Sequence, residues 1–248
     1  MKAMVIYMAN RQNTTPIKIM ATVAVWIAAA LIPVILAVFA VDIVSRDYAW
    51  VEREYKKLNV SHVTDMSDED MTAVFSLMMA YSRGDADSLE IEVTEFGHKT
   101  LMFNNEELSH MRDVRVLLTT VLKLRYILPI ITLILLTLSF LALRSDTFGV
   151  LSKAYLILLA AVLILGILLA IWAVADFDSF WEVFHIVFLD LESSTFSYSE
   201  SRMIRICPAE LFFDMIARFA VILGIMLICT AIITFTYSLI QRKRKYSI

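Results

Sequence analysis

Turn residues are scarce in this chain. Its 248 residues include 5 Gly and 4 Pro, and 59% are hydrophobic. With a mean hydropathy of +0.72, that excludes an ordinary soluble domain, which is nearer half apolar, and assigns the apolar excess to lipid. There are only two cysteines, Cys207 and Cys229. The second lies deep in a hydrophobic run where it cannot easily reach the first, so no disulfide framework is implied. The net charge is −3, with basic residues dispersed or gathered in a short tail, and gives no argument for nucleic acid. HExxH and GxSxG are both missing, and neither cysteine has a reactive context, so no motif suggests a zinc protease or a covalent acyl-enzyme.

Four stretches have the length and the near absence of charge that a bilayer core of about 20 apolar residues demands: 18–42, 126–143, 154–175 and 211–240. Val38 and Ala40 offer small-residue cleavage chemistry, but the first apolar core is too long for a signal peptide and is read as a retained anchor. Lys2, Arg11 and Lys18 precede span one, Arg144 and Lys153 flank the short loop after span two, and Arg242, Lys243, Arg244 and Lys245 follow span four. Lys and Arg resist translocation, so both termini are expected in the cytoplasm. The 43–125 segment and the 176–210 loop, the latter opening with Asp176, Asp178, Glu182, Asp190 and Glu192, are then extracytoplasmic, and so are His62, His98, His110 and His185. The expected fold is an all-α membrane protein, a single integral membrane domain over 1–248. It has four transmembrane helices with a small α+β extracytoplasmic cap.

Within the cap, Ser67 followed by Asp70 predicts a capping-box-like start to a helix that stops at Gly84. Alternation over Leu89 to Phe96, then Gly97 and the run HKTLMF, predicts a hairpin. Asn105 can cap a helix carrying Leu108, Met111, Leu118, Val121 and Leu122 at near-helical spacing and running into span two. Unbroken, that helix would hold His110 roughly 25 Å from Ile127 at 1.5 Å per residue, so a bend or an oblique course is expected. After span three, Phe177, Phe180, Trp181, Phe184 and Phe188 fall on one face of an interfacial helix. Asp178, Glu182 and His185 recur at i, i+4 and i+7 on the other, at headgroup depth.

Histidine takes up and returns a proton near neutral pH with little cost, so His110 and His185, each among carboxylates, are the candidate proton-transfer groups. Glu182 and Asp178 are placed to support His185, and Glu106, Glu107 and Asp113 to support His110. The bland reading is two surface histidines in acidic helices. A two-histidine metal site with Asp113 or Glu182 is chemically possible, but the ligand spacing does not favour it, and no metal or other cofactor is expected. His62 and His98 read as solvated loop residues, and Ser109 points away from its neighbour His110 on a helix. Asp214 and Arg218, four residues apart near the outer end of span four, read as a structural ion pair. A transporter would need more intramembrane polar groups.

Three stretches, in order and on one side of the membrane, carry a family likeness: HMRDV at His110 to Val114 preceded by Glu106 or Glu107, FHIVF at Phe184 to Phe188, and PAELFFD at Pro208 to Asp214. With the four-span layout, the chain resembles the lipoprotein intramolecular transacylases, bacterial integral membrane proteins. Where that family usually has Glu directly after Pro, this chain has Ala209 with Glu210 next, which puts a role for that Glu in doubt. The resemblance implies a Gram-positive enzyme that moves one acyl chain of a diacylglyceryl-cysteine lipoprotein from the glycerol sn-2 oxygen to the α-amino group of the same cysteine, giving a lyso-form lipoprotein. By matching position, His110 and His185 would be its essential histidines.

Donor ester and acceptor amine then belong to one substrate molecule, and holding them in attack geometry can supply about 7–11 kcal/mol. One neutral histidine would take the amine proton and the other, protonated, would give one to the departing glycerol oxygen. His110 is read as the base. Trp181, Phe184 and the span ends are the expected acyl-chain surface, and Arg112, Asn104 or Asn105 the expected oxyanion donors. The expected partners are diacylglyceryl-modified bacterial lipoproteins and membrane lipid. The alternatives are a non-enzymatic four-span envelope sensor or partner-binding protein, which would tolerate histidine substitution, and a lipid hydrolase, which would release free fatty acid.

Overall fold

The structure, a computed structural model, describes residues 2–64, 66–189 and 201–246. The side chain of His62, and Asp190 and Glu192 altogether, lie outside the described residues. The element order is α1 (Lys2–Val44), α2 (Tyr48–Leu58), α3 (Ser61–Thr64), α4 (Asp68–Arg83), β1 (Glu92–Glu95), β2 (His98–Leu101), α5 (Asn105–Leu143), α6 (Asp146–Ala175), α7 (Phe177–Phe188), α8 (Arg202–Ile206) and α9 (Ala209–Tyr246). Four helices are long and apolar enough to cross a membrane, over Pro16–Val44, Asn105–Leu143, Asp146–Ala175 and Ala209–Gln241. The chain is a multi-pass membrane protein. Contacts gather into two compact units: one takes the chain up to Val38, Leu124–Ile167 and the residues from Leu223 on, the other Phe39–Lys123 and Leu168–Ile222.

The first unit is built from long apolar helix segments that meet through small side chains. Ala29 and Ala154 are fully buried, and with Tyr155, Leu159 and Leu227 they form its core. Lipid tails are as apolar as leucine, so packing and interhelical hydrogen bonds hold such segments together. Ser139 Oγ donates to the Ala21 carbonyl at 3.1 Å, Ser152 Oγ to the Thr234 carbonyl at 3.1 Å, and the Tyr155 and Thr230 hydroxyls meet at 2.5 Å. Each such bond contributes about 0.6 kcal/mol in a membrane.

The second unit contains the cap, and its core gathers Val51 and Tyr55 of α2, Met71, Val74, Phe75 and Met78 of α4, Val93 of β1, Met111 of α5, and Met203, Ile206 and Leu211. Helix α4 starts where Ser67 accepts from the Asp70 N–H at 3.0 Å and ends at Gly84, whose φ of 83° closes the left-handed cap. In the hairpin, Glu95 pairs with His98 across Phe96 (φ 50°) and Gly97 (φ 78°), the two positive φ values of a two-residue turn that follows strand twist. Asp47 caps α2 by accepting from the Trp50 N–H, and Asp176 caps α7 by accepting from the Ser179 N–H, each at 3.0 Å.

Two sequence expectations are corrected here. Helix α5 is capped by Asn104 rather than Asn105: its side-chain oxygen accepts from the Glu107 N–H and its own N–H donates to Glu107 Oε2, both at 2.8 Å. This reciprocal box needs a carboxylate three residues on, which Glu107 supplies to Asn104. From there α5 runs as one helix through Pro129 to Leu143, with no break between His110 and the span. Asp214 and Arg218 do not pair with each other. Lys57 Nζ bonds Asp214 Oδ2 at 2.7 Å, and Arg218 bonds Asp47 while lying over the Trp50 ring at 5.1 Å. Partners from α2 and its cap won because groups four apart on one helix both project towards that neighbour.

Candidate active site

Helix α5 carries His110 one turn after its capping box, and α7 carries His185 two turns after its Asp176 cap. The two imidazole rings lie 5.9 Å apart, centre to centre, and 22° from parallel. His110 is buried, 7% exposed, and His185 is half-buried. Apolar residues far apart in the chain thus bring together the two histidines singled out from the sequence.

His185 Nδ1 lies 2.8 Å from the carbonyl oxygen of Trp181. A carbonyl can only accept, so Nδ1 carries the hydrogen, and Nε2 is the nitrogen left to exchange a proton. The Trp181 ring also meets the imidazole edge to face at 4.8 Å, Phe184 at 5.7 Å. Trp181 is itself stacked on Phe212 of α9 at 4.6 Å and on Phe177 at 5.8 Å, and Phe177 meets Phe213 edge to face. Aromatic packing of this kind adds about 0.5–1.5 kcal/mol per pair and holds the rings in one arrangement.

The carboxylates are distributed unevenly. Glu107 is 1% exposed and fully engaged: besides the capping box, its Oε1 accepts from Ser201 Oγ at 2.6 Å and from the Met203 N–H at 3.0 Å. It ties the start of α5 to α8. Asp113 is half-buried one turn beyond His110, whereas Arg112 is exposed. Asp178 and Glu182 are exposed, and no hydrogen bond or ion pair of either is found among the described residues. The hydrogen-bond partner of His185 is a backbone carbonyl. His98 is exposed at the hairpin turn opposite Glu95, and Glu210 is exposed at the start of α9.

Around this pair the cap is fastened by charge. Glu95 accepts from Arg202 Nε and Arg205, each at 2.8 Å, pinning α8 to the hairpin. The Arg218 guanidinium holds the Asp47 carboxyl below the usual carboxylate range. Lys57, gripped by Asp214 and then Glu54, is pushed up to about 12. Behind Glu107, burial pushes the Cys207 thiol up to about 12, with the Glu107 charge adding to it, and burial raises the Tyr55 phenol well above its usual value. Both are neutral core groups. Among the described residues no three His, Cys, Asp or Glu side chains are arranged to hold a metal ion.

Sequence reasoning did not single out Phe212 or Ser201. The Phe212–Phe213 doublet in PAELFFD was a usable signal, since neighbours on a helix point apart and one must face away from its partner's surface. Ser201 carried no comparable signal.

A family model described as lipoprotein intramolecular transacylase Lit matches residues 24–213. No curated protein matches the chain. Among solved structures, the chain is similar to the membrane integral lipoprotein intramolecular transacylase Lit from Bacillus cereus, solved in meso, with a TM-score of 0.68 and 17% identity over 93% of this chain and 98% of that one. It is also similar to that protein with a histidine replaced by arginine (TM-score 0.62, 16% identity, 100% and 99% covered) and by alanine (0.64, 16%, 96% and 100%). At these identities the structural likeness establishes the fold.

Proposed function

The chain belongs to the lipoprotein intramolecular transacylase family and is an acyltransferase, and from that membership we propose that it moves the sn-2 acyl chain of a diacylglyceryl-cysteine lipoprotein to the α-amino group of the same cysteine by histidine acid–base catalysis at the outer membrane face. The observation that carries the proposal is the ring pair: His110 and His185 stand 5.9 Å apart, close enough to serve opposite ends of one rearranging headgroup. The concentration of Lys and Arg at the termini and in the loop between spans two and three supports cytoplasmic ends and an extracytoplasmic site.

The amine nitrogen attacks the ester carbonyl carbon, forming the C–N bond, and the C–O bond to the glycerol sn-2 carbon's oxygen then breaks. The amine gives up one proton and the glycerol oxygen gains one, so the product is an isomer of the substrate. The reaction needs one imidazole neutral, to take a proton, and the other protonated, to give one. His110 takes the proton of the attacking amine and His185 delivers one from Nε2, the nitrogen its Trp181 bond leaves available. Each transfer contributes about 10²–10⁴-fold. Trp181 and Phe184 form the aromatic surface against which the acyl chains pack, with Phe212 behind Trp181. Asp113 and Glu107 support His110, Glu107 through the position of α5. Asp178 and Glu182 give the exposed face of α7 its negative charge, and Arg112 is available to the headgroup.

The test is mass spectrometry of a model lipoprotein's N-terminal peptide from a host expressing this chain, His110→Ala or His185→Ala. The expected result is an acyl chain relocated from glycerol to the cysteine nitrogen at unchanged total mass, and its loss in both variants. Relocation that persists in both well-expressed variants would overturn the histidine mechanism, and release of free fatty acid would replace transfer with hydrolysis.

A further inference from the structure

The first unit contains a cavity that the acyl-transfer site does not use. It measures about 260 Å³ and lies between α1, α6 and α9, with Phe148, Ser152, Tyr155, Thr230, Ile233 and Thr234 among its walls. Tyr155 stands in the third turn of α6, at the end remote from α7. We propose that this cavity binds one acyl chain of an anionic glycerophospholipid whose headgroup is held by Arg144 and Lys153.

The wall hydroxyls look like a polar site and are not one. Ser152 donates to the Thr234 carbonyl or to Ser238 Oγ, and Thr230 Oγ1 donates to the Met226 carbonyl at 3.0 Å while accepting from Tyr155. Thr234 donates to the Thr230 carbonyl at 2.7 Å. The hydroxyl protons of Ser152, Tyr155, Thr230 and Thr234 each have an acceptor, the Tyr237 hydroxyl at the rim accepts from Gln241 Nε2 at 3.0 Å, and no charged side chain lines the cavity. An ion entering it would find no charged partner, and water would exchange its full hydrogen bonding for a few hydroxyl oxygens in an otherwise apolar wall. An alkyl chain loses none. At roughly 30 Å³ for a water-sized group, the volume admits a chain of about eight or nine methylenes, half a fatty acyl tail.

The lining helices are candidate membrane spans, so acyl chains are the matter that surrounds them, and 69% exposed Ile233 and 48% exposed Phe148 frame an opening towards lipid. Charge identifies the headgroup. Arg144, directly after α5, and Lys153 on α6 are both exposed, against one acid, Asp146, and the sequence adds Arg242, Lys243, Arg244 and Lys245 at the end of α9. Under the orientation proposed above, this end faces the cytoplasm, where anionic lipid attracts such residues.

The experiment is native mass spectrometry of the full chain extracted from vesicles of equal phosphatidylglycerol and phosphatidylcholine. The expected result is one retained phosphatidylglycerol per chain, preferred over phosphatidylcholine by about fivefold or more. Leu151→Trp and Ile233→Trp should each remove it by filling the cavity, and the Arg144→Gln/Lys153→Gln double variant should abolish the headgroup preference. Val174→Trp, at the opposite end of α6, is the control that retains it. Undiminished retention in both cavity-filling variants, or equal retention of the two headgroups, overturns the proposal. Acyl relocation is read separately in the same preparations, so failure of the lipid site is distinguishable from failure of the histidine mechanism.

Discussion

The rings of His110 and His185 stack 5.9 Å apart although one stands on α5 and the other on α7, and the Trp181 carbonyl engages Nδ1 of His185, leaving Nε2 as the nitrogen that can exchange a proton. Substitutions that keep a hydrogen-bonding group at either nitrogen's position therefore separate proton transfer by His185 from the hydrogen bonds of its ring.

His185→Asn retains an amide near the Nδ1 position and His185→Gln one near Nε2. Neither transfers a proton, so both should lower the rate of acyl relocation at least 10²-fold, with the fold intact by circular dichroism. A variant that kept more than a tenth of the rate would remove His185 from proton transfer.

Phe212→Ala removes the ring stacked on Trp181 at 4.6 Å without touching either histidine. If Trp181 and Phe184 form the acyl-chain surface as proposed, KM for a diacylated peptide should rise several-fold, with kcat falling less, because that surface loosens while both imidazoles remain. An effect on kcat alone would mean that Phe212 acts through His185.

Glu107→Ala strips the Asn104 N–H, Ser201 Oγ and the Met203 N–H of their shared acceptor. Losing a helix cap and leaving buried donors unmatched costs about 3 kcal/mol. Thermal unfolding in detergent should show it as a clear fall in Tm, while Glu106→Ala, an exposed change, stays within about 0.5 kcal/mol of wild type. Equal behaviour of the two variants would deny Glu107 its anchoring role.

Cys207 stays protonated in the folded chain up to about pH 12 but ionises near its ordinary value of 9.0 when unfolded. Between those values the folded state binds more protons, so stability is full below pH 9 and falls as pH rises towards 12, by at most about 1.4 kcal/mol per pH unit. The raised Tyr55 phenol acts in the same direction above pH 10. Unfolding temperatures measured from pH 7 to 10.5 should fall less steeply in Cys207→Ala than in wild type. Parallel curves would contradict the buried neutral thiol.

Much of this was legible in the sequence, for identifiable reasons. The spans follow from unbroken apolar runs, α4 from Ser67 and Gly84, and the hairpin from alternation broken at Gly97, all of them local signals. The pairing of His110 with His185 came through family likeness, since no local pattern links residues on α5 and α7. What escaped was set by long-range packing. Asn104 and Asn105 are equivalent as cap formers, and only the reciprocal carboxylate at Glu107 decides between them. Spacing put His185 on a face with Asp178 and Glu182, yet its ring meets that of Trp181 at 4.8 Å, because residues four apart on a helix lie one above the other. Asp214 and Arg218 satisfy the spacing of a pair and were each claimed by a different partner from the α2 region.

That last arrangement bears on how the protein is made. The partners of the charges in span four lie 157 and 171 residues earlier in the chain, so Lys57 and Asp47 have left the ribosome long before Asp214 and Arg218 emerge. A charge at the centre of a membrane helix costs about 2.5–3.5 kcal/mol at insertion, less towards its end, and here the opposite charges are already waiting. Span four is thus fitted to a chain whose earlier parts have been synthesised, and severing Lys57 or Asp47 from it would show first as a defect in biogenesis rather than in the finished enzyme.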